Sequence, residues 1–171
     1  MPIQVTQTVN LAPLHMLIVD DNRHMCTILG AVLKSVGVSR LRQARDGAEA
    51  LDLMRQYPID MAIVDYNMTP VDGIEFTLMQ RRAADSMNPY LPIIMVSGHS
   101  ERSRIVAARD AGVNEFLVKP LNAKALLDRV VNVVMRARPY IKCVGYFGPD
   151  RRRRSDSQYA GPYRRTSDGF I

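Results

Sequence analysis

From His15 to about Ala137 the chain alternates between short apolar runs and longer amphipathic stretches. Met16-Leu17-Ile18-Val19 is an unbroken apolar run ending in two aspartates, as expected of a strand buried on both faces. Met25, Ile28, Leu29, Val32, Leu33 and Val36 follow at the spacing of one helical face, and Gly37 closes that helix. Leu41–Ala44 reads as a weak second strand. Ala48–Gln56 reads as a short helix ended by Pro58, and Met61-Ala62-Ile63-Val64 as a third strand with an aspartate after it. A helix is predicted from Gly73 to about Ala84, carrying Ile74, Phe76, Leu78 and Met79. Pro92–Val96 is a fourth strand ending at Ser97. Glu101–Ala111 is a polar helix with a thin stripe of Ile105, Val106 and Ala108, stopped by Gly112. Glu115–Val118 is a fifth strand before Lys119-Pro120. Asn122 caps a last helix whose inner side is expected to be Leu126, Leu127, Val130, Val131 and Val134.

Five strands alternating with five helices imply a parallel sheet covered on both faces, in a doubly wound α/β fold. Such folds place their sites beyond the C-terminal ends of the strands, where the strand order reverses. All the unusual polar groups of this chain fall there. The first strand ends in Asp20-Asp21, the third in Asp65, the fourth in Ser97 and the fifth in Lys119.

Three carboxylates converging on one point repel one another unless a cation joins them, and hard oxygen donors suit Mg²⁺. A carboxylate nucleophile, a metal, a lysine and a hydroxyl together make a phosphoryl-transfer site. Any one of these residues alone would be an ordinary capping or surface group. The joint order, each residue following its own apolar strand, carries the inference.

Residues 14–137 resemble the receiver domain of two-component response regulators. The resemblance rests on Leu17-Ile18-Val19-Asp20-Asp21-Asn22, Ile63-Val64-Asp65-Tyr66-Asn67-Met68, Val71-Asp72-Gly73, Met95-Val96-Ser97-Gly98 and Phe116-Leu117-Val118-Lys119-Pro120. It implies a flavodoxin-like fold and a phosphoacceptor at Asp65. It also implies Mg²⁺ held by Asp21, Asp65 and the backbone carbonyl of Asn67, with Asp20 acting through a metal-bound water. Lys119 would contact the phosphoryl group, a cis peptide would join Lys119 to Pro120, and Ser97 and Phe116 would be the paired switch residues. The implied partners are a histidine kinase or phosphotransfer protein and an unidentified downstream protein. Ser97 stands where threonine is commoner and Phe116 where tyrosine is frequent. In Met68-Thr69-Pro70 the proline comes one place later than the usual Met-Pro turn.

The net charge of +6 is unevenly spread: residues 138–171 hold eight basic against three acidic side chains. The basic character therefore belongs to the tail. This tail includes the run Arg151–Arg154 and a degenerate duplication, Gly148-Pro149-Asp150-Arg151-Arg152 and Gly161-Pro162-Tyr163-Arg164-Arg165. It lacks an alternating or helical stretch long enough for a second core and is read as largely disordered. With Tyr140, Tyr146, Phe147, Tyr159 and Tyr163 interleaved, it offers an alternative function, binding of nucleic acid or another polyanion.

Residues 1–13 are read as an N-terminal extension, 14–137 as the receiver and 138–171 as the basic tail. Two cysteines without metal spacing, no apolar run near the roughly 20 residues of a membrane span and no signal-like start lead to an expectation of a cytoplasmic protein. The expected activity is confined to the chain's own phosphorylation and dephosphorylation, without an outside substrate. A metal-dependent phosphohydrolase is disfavoured because Asn67 occupies the place where such enzymes carry a second acid–base aspartate.

Overall fold

The computed structural model describes residues 9–152 and the backbone of residues 169–170. Five strands, β1 (His15–Val19), β2 (Arg40–Ala44), β3 (Met61–Asp65), β4 (Ile93–Ser97) and β5 (Glu115–Val118), form one parallel sheet in the order β2-β1-β3-β4-β5. The order reverses between β1 and β3, and their C-terminal ends carry the aspartates. The pleat sends alternate residues of each strand to opposite faces. Met16, Ile18, Ile63 and Ile94 join the core under α1 (Arg23–Ser35) and α5 (Ala123–Met135). Leu17, Val19, Val64 and Met95 join the second core. This one lies under α2 (Gly47–Gln56), α3 (Gly73–Arg82) and α4 (Arg102–Ala111).

Side chains set the helix starts. The Asn22 side chain accepts from the amides of His24 and Met25 at the start of α1. Asp72 and Glu75 form a reciprocal capping box on α3, with bonds of 2.8 and 3.0 Å. Gly112 ends α4 in the left-handed region, at φ 104°.

Two predicted apolar faces are rotated in the folded chain. In α1 the buried line is Cys26, Leu29 and Leu33, whereas Ile28 is 41% and Val36 36% exposed. In α5 it is Leu126, Val130 and Val133, and Val134 is exposed. Both helices have apolar residues over a wider arc than the sheet covers. Spacing alone does not tell which edge of that arc turns inward.

The larger correction concerns residues 138–152, expected to be disordered. They form a strap. It runs beneath the N-terminal ends of β4 and β5 and closes in a hairpin of β6 (Tyr140–Cys143) and β7 (Tyr146–Pro149). Val144 and Gly145 make its two-residue turn, with Gly145 at φ 79°. A two-residue strand, β8 (Gly169–Phe170), lies antiparallel on the other edge of β6.

The hairpin is too short for a core of its own and takes one from the sandwich. Ile141 and Tyr146 are buried. Tyr140 and Phe147 pack edge-on with Tyr90 at 5.1 and 5.3 Å. The strap also satisfies exposed ends of the sheet. Arg138 donates to the Asn114 carbonyl, and Tyr140 Oη donates to the Tyr90 carbonyl at 2.8 Å. The buried Arg81 of α3 organises this corner. It donates to the carbonyls of Gly112, Pro89 and Leu91 and to Asn114 Oδ1, at 2.7–3.3 Å. Of the arginine run, Arg151 and Arg152 fall within the described residues; Arg153, Arg154 and the second copy of the duplication fall outside them.

Candidate functional site

The site begins with two buried carboxylates at neighbouring strand ends. Asp65 is the last residue of β3 and Asp20 follows β1, and both are over nine-tenths buried. Each loop folds back on its aspartate. The Asn22 amide donates to Asp20 Oδ1 at 2.8 Å, and the Asn67 amide donates to Asp65 Oδ2 at 3.0 Å. The start of α3 presses against the back of the site. A Cβ added to Gly73 would lie 2.3 Å from the Asp65 carbonyl oxygen, so the close approach admits only glycine.

Lys119 reaches across from the end of β5. Its Nζ lies 2.8 Å from Asp65 Oδ1 and 3.3 Å from Asp20 Oδ2. Burial works against the ammonium, but the hydrogen bond and charge of Asp65, then those of Asp20, outweigh it and raise the lysine's pKa above its ordinary value. Asp20 shifts upward as well. Burial is the main cause, opposed by the Asn22 amide, reinforced by the Asp65 charge and again opposed by Lys119. Desolvation therefore wins at Asp20 even with a lysine beside it.

Asp21 completes the cluster from the exposed side. Asp20, Asp21 and Asp65 each offer a carboxylate oxygen within 4.8 Å of the others. One ammonium against three carboxylates leaves the pocket anionic. The donors are all hard oxygens, one of them open to solvent. This donor chemistry fits a small divalent cation that keeps part of its water shell.

The remaining predicted residues border this cluster. Ser97 closes β4, is fully buried, and accepts from the His99 amide through Oγ at 3.1 Å. Phe116 is half-buried on β5, against the second core. The Lys119–Pro120 bond is cis, and so is Thr69–Pro70 in the loop after Asp65. His24 is on the surface, and His99 is half-exposed with Nδ1 3.7 Å from Glu101. Cys26 is buried, and its Sγ is 3.4 Å from the Asp20 carbonyl.

Sequence reasoning passed over Arg104. Its guanidinium donates to Asn67 Oδ1 at 3.0 Å and lies 4.9 Å over the Tyr66 ring. It also pairs with Glu101 at 2.9 Å. Nothing in the sequence marks it, because the link crosses 37 residues. Two grooves, of about 340 and 500 Å³, run along the strap at the opposite end of the sheet.

Comparison with known proteins points to one family. The profile of the response regulator receiver domain matches residues 16–131. The chemotaxis protein CheY of Pseudomonas aeruginosa is 33% identical over 120 residues, covering 70% of this chain and 95% of that protein. Chemotaxis protein CheY-3 of Vibrio cholerae is 32% identical over 120 residues, covering 70% and 91%. Among solved structures, chemotaxis protein CheY4 of Vibrio cholerae superposes with a TM-score of 0.63 at 29% identity, over 69% of this chain and 96% of that one. A CheX–CheY–BeF3–Mg complex from Borrelia burgdorferi contributes a chain matching at TM-score 0.62 and 28% identity, over 71% and 89%.

Proposed function

The chain belongs to the response regulator receiver family of two-component signalling, and on that premise we propose that Asp65 is its phosphoacceptor, charged by a histidine kinase or phosphotransfer protein. The observation that carries this is the placement of Asp65. It is a buried strand-end carboxylate held 2.8 Å from Lys119, inside a three-carboxylate cluster.

In the proposed reaction an Asp65 carboxylate oxygen attacks the phosphorus of a phosphohistidine. The O–P bond forms as the P–N bond breaks, and the imidazole nitrogen keeps the electron pair. Mg²⁺, held by Asp21, Asp65 and the Asn67 backbone carbonyl with Asp20 behind a bound water, would supply charge neutralisation for the incoming dianion. Lys119 leaves its ion pair with Asp65 for the phosphoryl oxygens, which carry more charge than the carboxylate did. The Ser97 hydroxyl turns to donate to a second oxygen, and Phe116 follows into the space it vacates. Water later attacks phosphorus. Phosphate leaves, Asp65 recovers its carboxylate and a proton passes to solvent.

The chemistry is thus confined to the chain's own carboxylate, and no outside substrate is turned over. Asn67, engaged by Arg104, provides no second acid–base group. Among the described residues no helix is long and apolar enough to cross a membrane. We place the chain in the cytoplasm, beside the kinase that would charge it. Output through protein contacts is favoured over polyanion binding by the tail. Arg151 is paired with Asp110 at 2.9 Å and Arg152 with Asp150 at 3.2 Å, so half of the four-arginine run has partners within the chain.

Labelling with a radioactive small phosphodonor and Mg²⁺ tests the proposal. An acyl-phosphate signature is expected: the label is lost in hydroxylamine, requires the metal and is absent from Asp65→Asn. Wild-type labelling of that variant, or labelling indifferent to chelator, would overturn it.

A further inference from the structure

The strap takes no part in the phosphoryl chemistry, yet it grips the same helix that borders the acidic pocket. We infer that docking of residues 138–152 on α4 is thermodynamically linked to phosphorylation of Asp65, so that this segment is an intramolecular partner which the phosphoryl group releases. The inference rests on the phosphoacceptor reading above.

The near end of α4 is wired to the pocket. Glu101, its N-cap residue, faces His99 Nδ1 at 3.7 Å, and the His99 amide donates to Ser97 Oγ at 3.1 Å. Arg104, in the first turn, holds Asn67 Oδ1 at 3.0 Å. A phosphoryl group on Asp65 draws the Ser97 hydroxyl toward it as a donor, away from the His99 amide that Oγ accepts from, and repositions the Asn67 loop. Both movements act on the first turn of α4.

The far end of α4 is held by the strap. Asp110 pairs with Arg151 at 2.9 Å, and that guanidinium lies 4.0 Å over the Tyr146 ring. Behind them, backbone meets backbone. A Cβ on Gly148 would lie 2.8 Å from Gly112 Cα, and one on Gly112 would lie 2.8 Å from the Phe147 carbonyl oxygen. The side chains of Arg81 and Tyr146 border the same contact, 3.1 Å from the Gly112 Cβ position and 2.8 Å from the Gly148 one.

Between the two ends α4 is a ten-residue rod of about 15 Å. Its buried side chains are only Ala108 and Ala111, so its own packing is thin, and the Arg81 bond to the Gly112 carbonyl is what ties its far end to α3. Helix displacements in switching proteins are about 1–2 Å. A shift of that size opens both the ion pair and the glycine contact. Phosphorylation therefore weakens docking, and by reciprocity loss of docking favours the phosphorylated state.

Hydrogen exchange on the full chain, with and without beryllium fluoride and Mg²⁺, tests this. Amides of residues 140–148 should exchange about fivefold faster or more when the phosphoryl analogue is bound, within the usual range of such couplings. Asp65→Asn should show no change. Asp110→Asn and, from the other partner, Arg151→Gln should each tighten beryllium fluoride binding by about the same factor. If amides at Asn67 and residues 97–101 respond while those of the hairpin do not, the linkage is wrong and the phosphoacceptor reading stands. If neither region responds, both fall together.

Discussion

Gly73 and His15 show how single residues carry the fold's constraints. Gly73 sits where a methyl group would meet the Asp65 carbonyl at 2.3 Å. Gly73→Ala is expected to cost about 1–3 kcal/mol in a urea melt, the usual range for forced overpacking. It should also slow labelling of Asp65, because the strand end must yield. His15 opens β1 in a buried position, edge-on to Tyr57 with ring centroids 6.2 Å apart. Burial first, then the charges of Arg40 and Arg42, lowers its pKa below the ordinary 6.5. The unfolded chain therefore takes up this proton before the folded chain does. The stability the neutral imidazole contributes is present above 6.5 and is lost as pH falls through the folded value. The expected result is an imidazole titration midpoint below 6.5 by NMR, and a weaker acid destabilisation in His15→Phe. Asp20, Asp21, Asp65, Ser97 and Lys119 were legible at this scale because each directly follows an apolar run. Arg104 was not, because its bond to Asn67 depends on how α4 lies.

The elements followed their local signals closely. Gly37 and Gly112, both at positive φ, stop α1 and α4 where the sequence places their ends. Asp72 and Glu75 begin α3 through a capping box. Asp72→Ala is expected to lower stability by about 1 kcal/mol in thermal or urea unfolding, with the effect confined to the α3 start. The rotated faces of α1 and α5 mark the limit of pattern reading. Ile28, Val36 and Val134 satisfy the helical period, yet the sheet beneath is narrower than the apolar arc above it. Helix α4 is the opposite case, with only two alanines buried. Its weak stripe is the physical reason it can serve as the moving part.

In the whole molecule, the strap joins what the sheet keeps apart. It leaves α5 on one face, passes beneath β4 and β5, and ends against α3 and α4 on the other. Arg81 is the anchor of that passage, with four hydrogen bonds to neutral oxygens and the Tyr140 ring 5.3 Å away. Burial lowers its pKa, with Tyr140 and Tyr146 acting in the opposite sense. Arg81→Met should leave several buried oxygens without donors. A loss of about 3 kcal/mol or more is expected in urea unfolding, together with faster exchange of the hairpin amides. A loss below about 1 kcal/mol would mean that water replaces the guanidinium freely.

Taken by itself, the sequence determined the alternation of strands and helices and the gathering of Asp20, Asp21, Asp65, Ser97 and Lys119 at one edge of the sheet. Those are consequences of local periodicity together with the handedness of parallel crossovers. Only the tertiary structure decided which arc of each helix is buried, that Arg104 reaches Asn67, and that residues 138–152 form a strap. These outcomes depend on surfaces supplied by distant parts of the chain. A four-residue strand has no core of its own to announce it, and becomes ordered only because Tyr90, Gly112 and Arg81 are already in place to receive it.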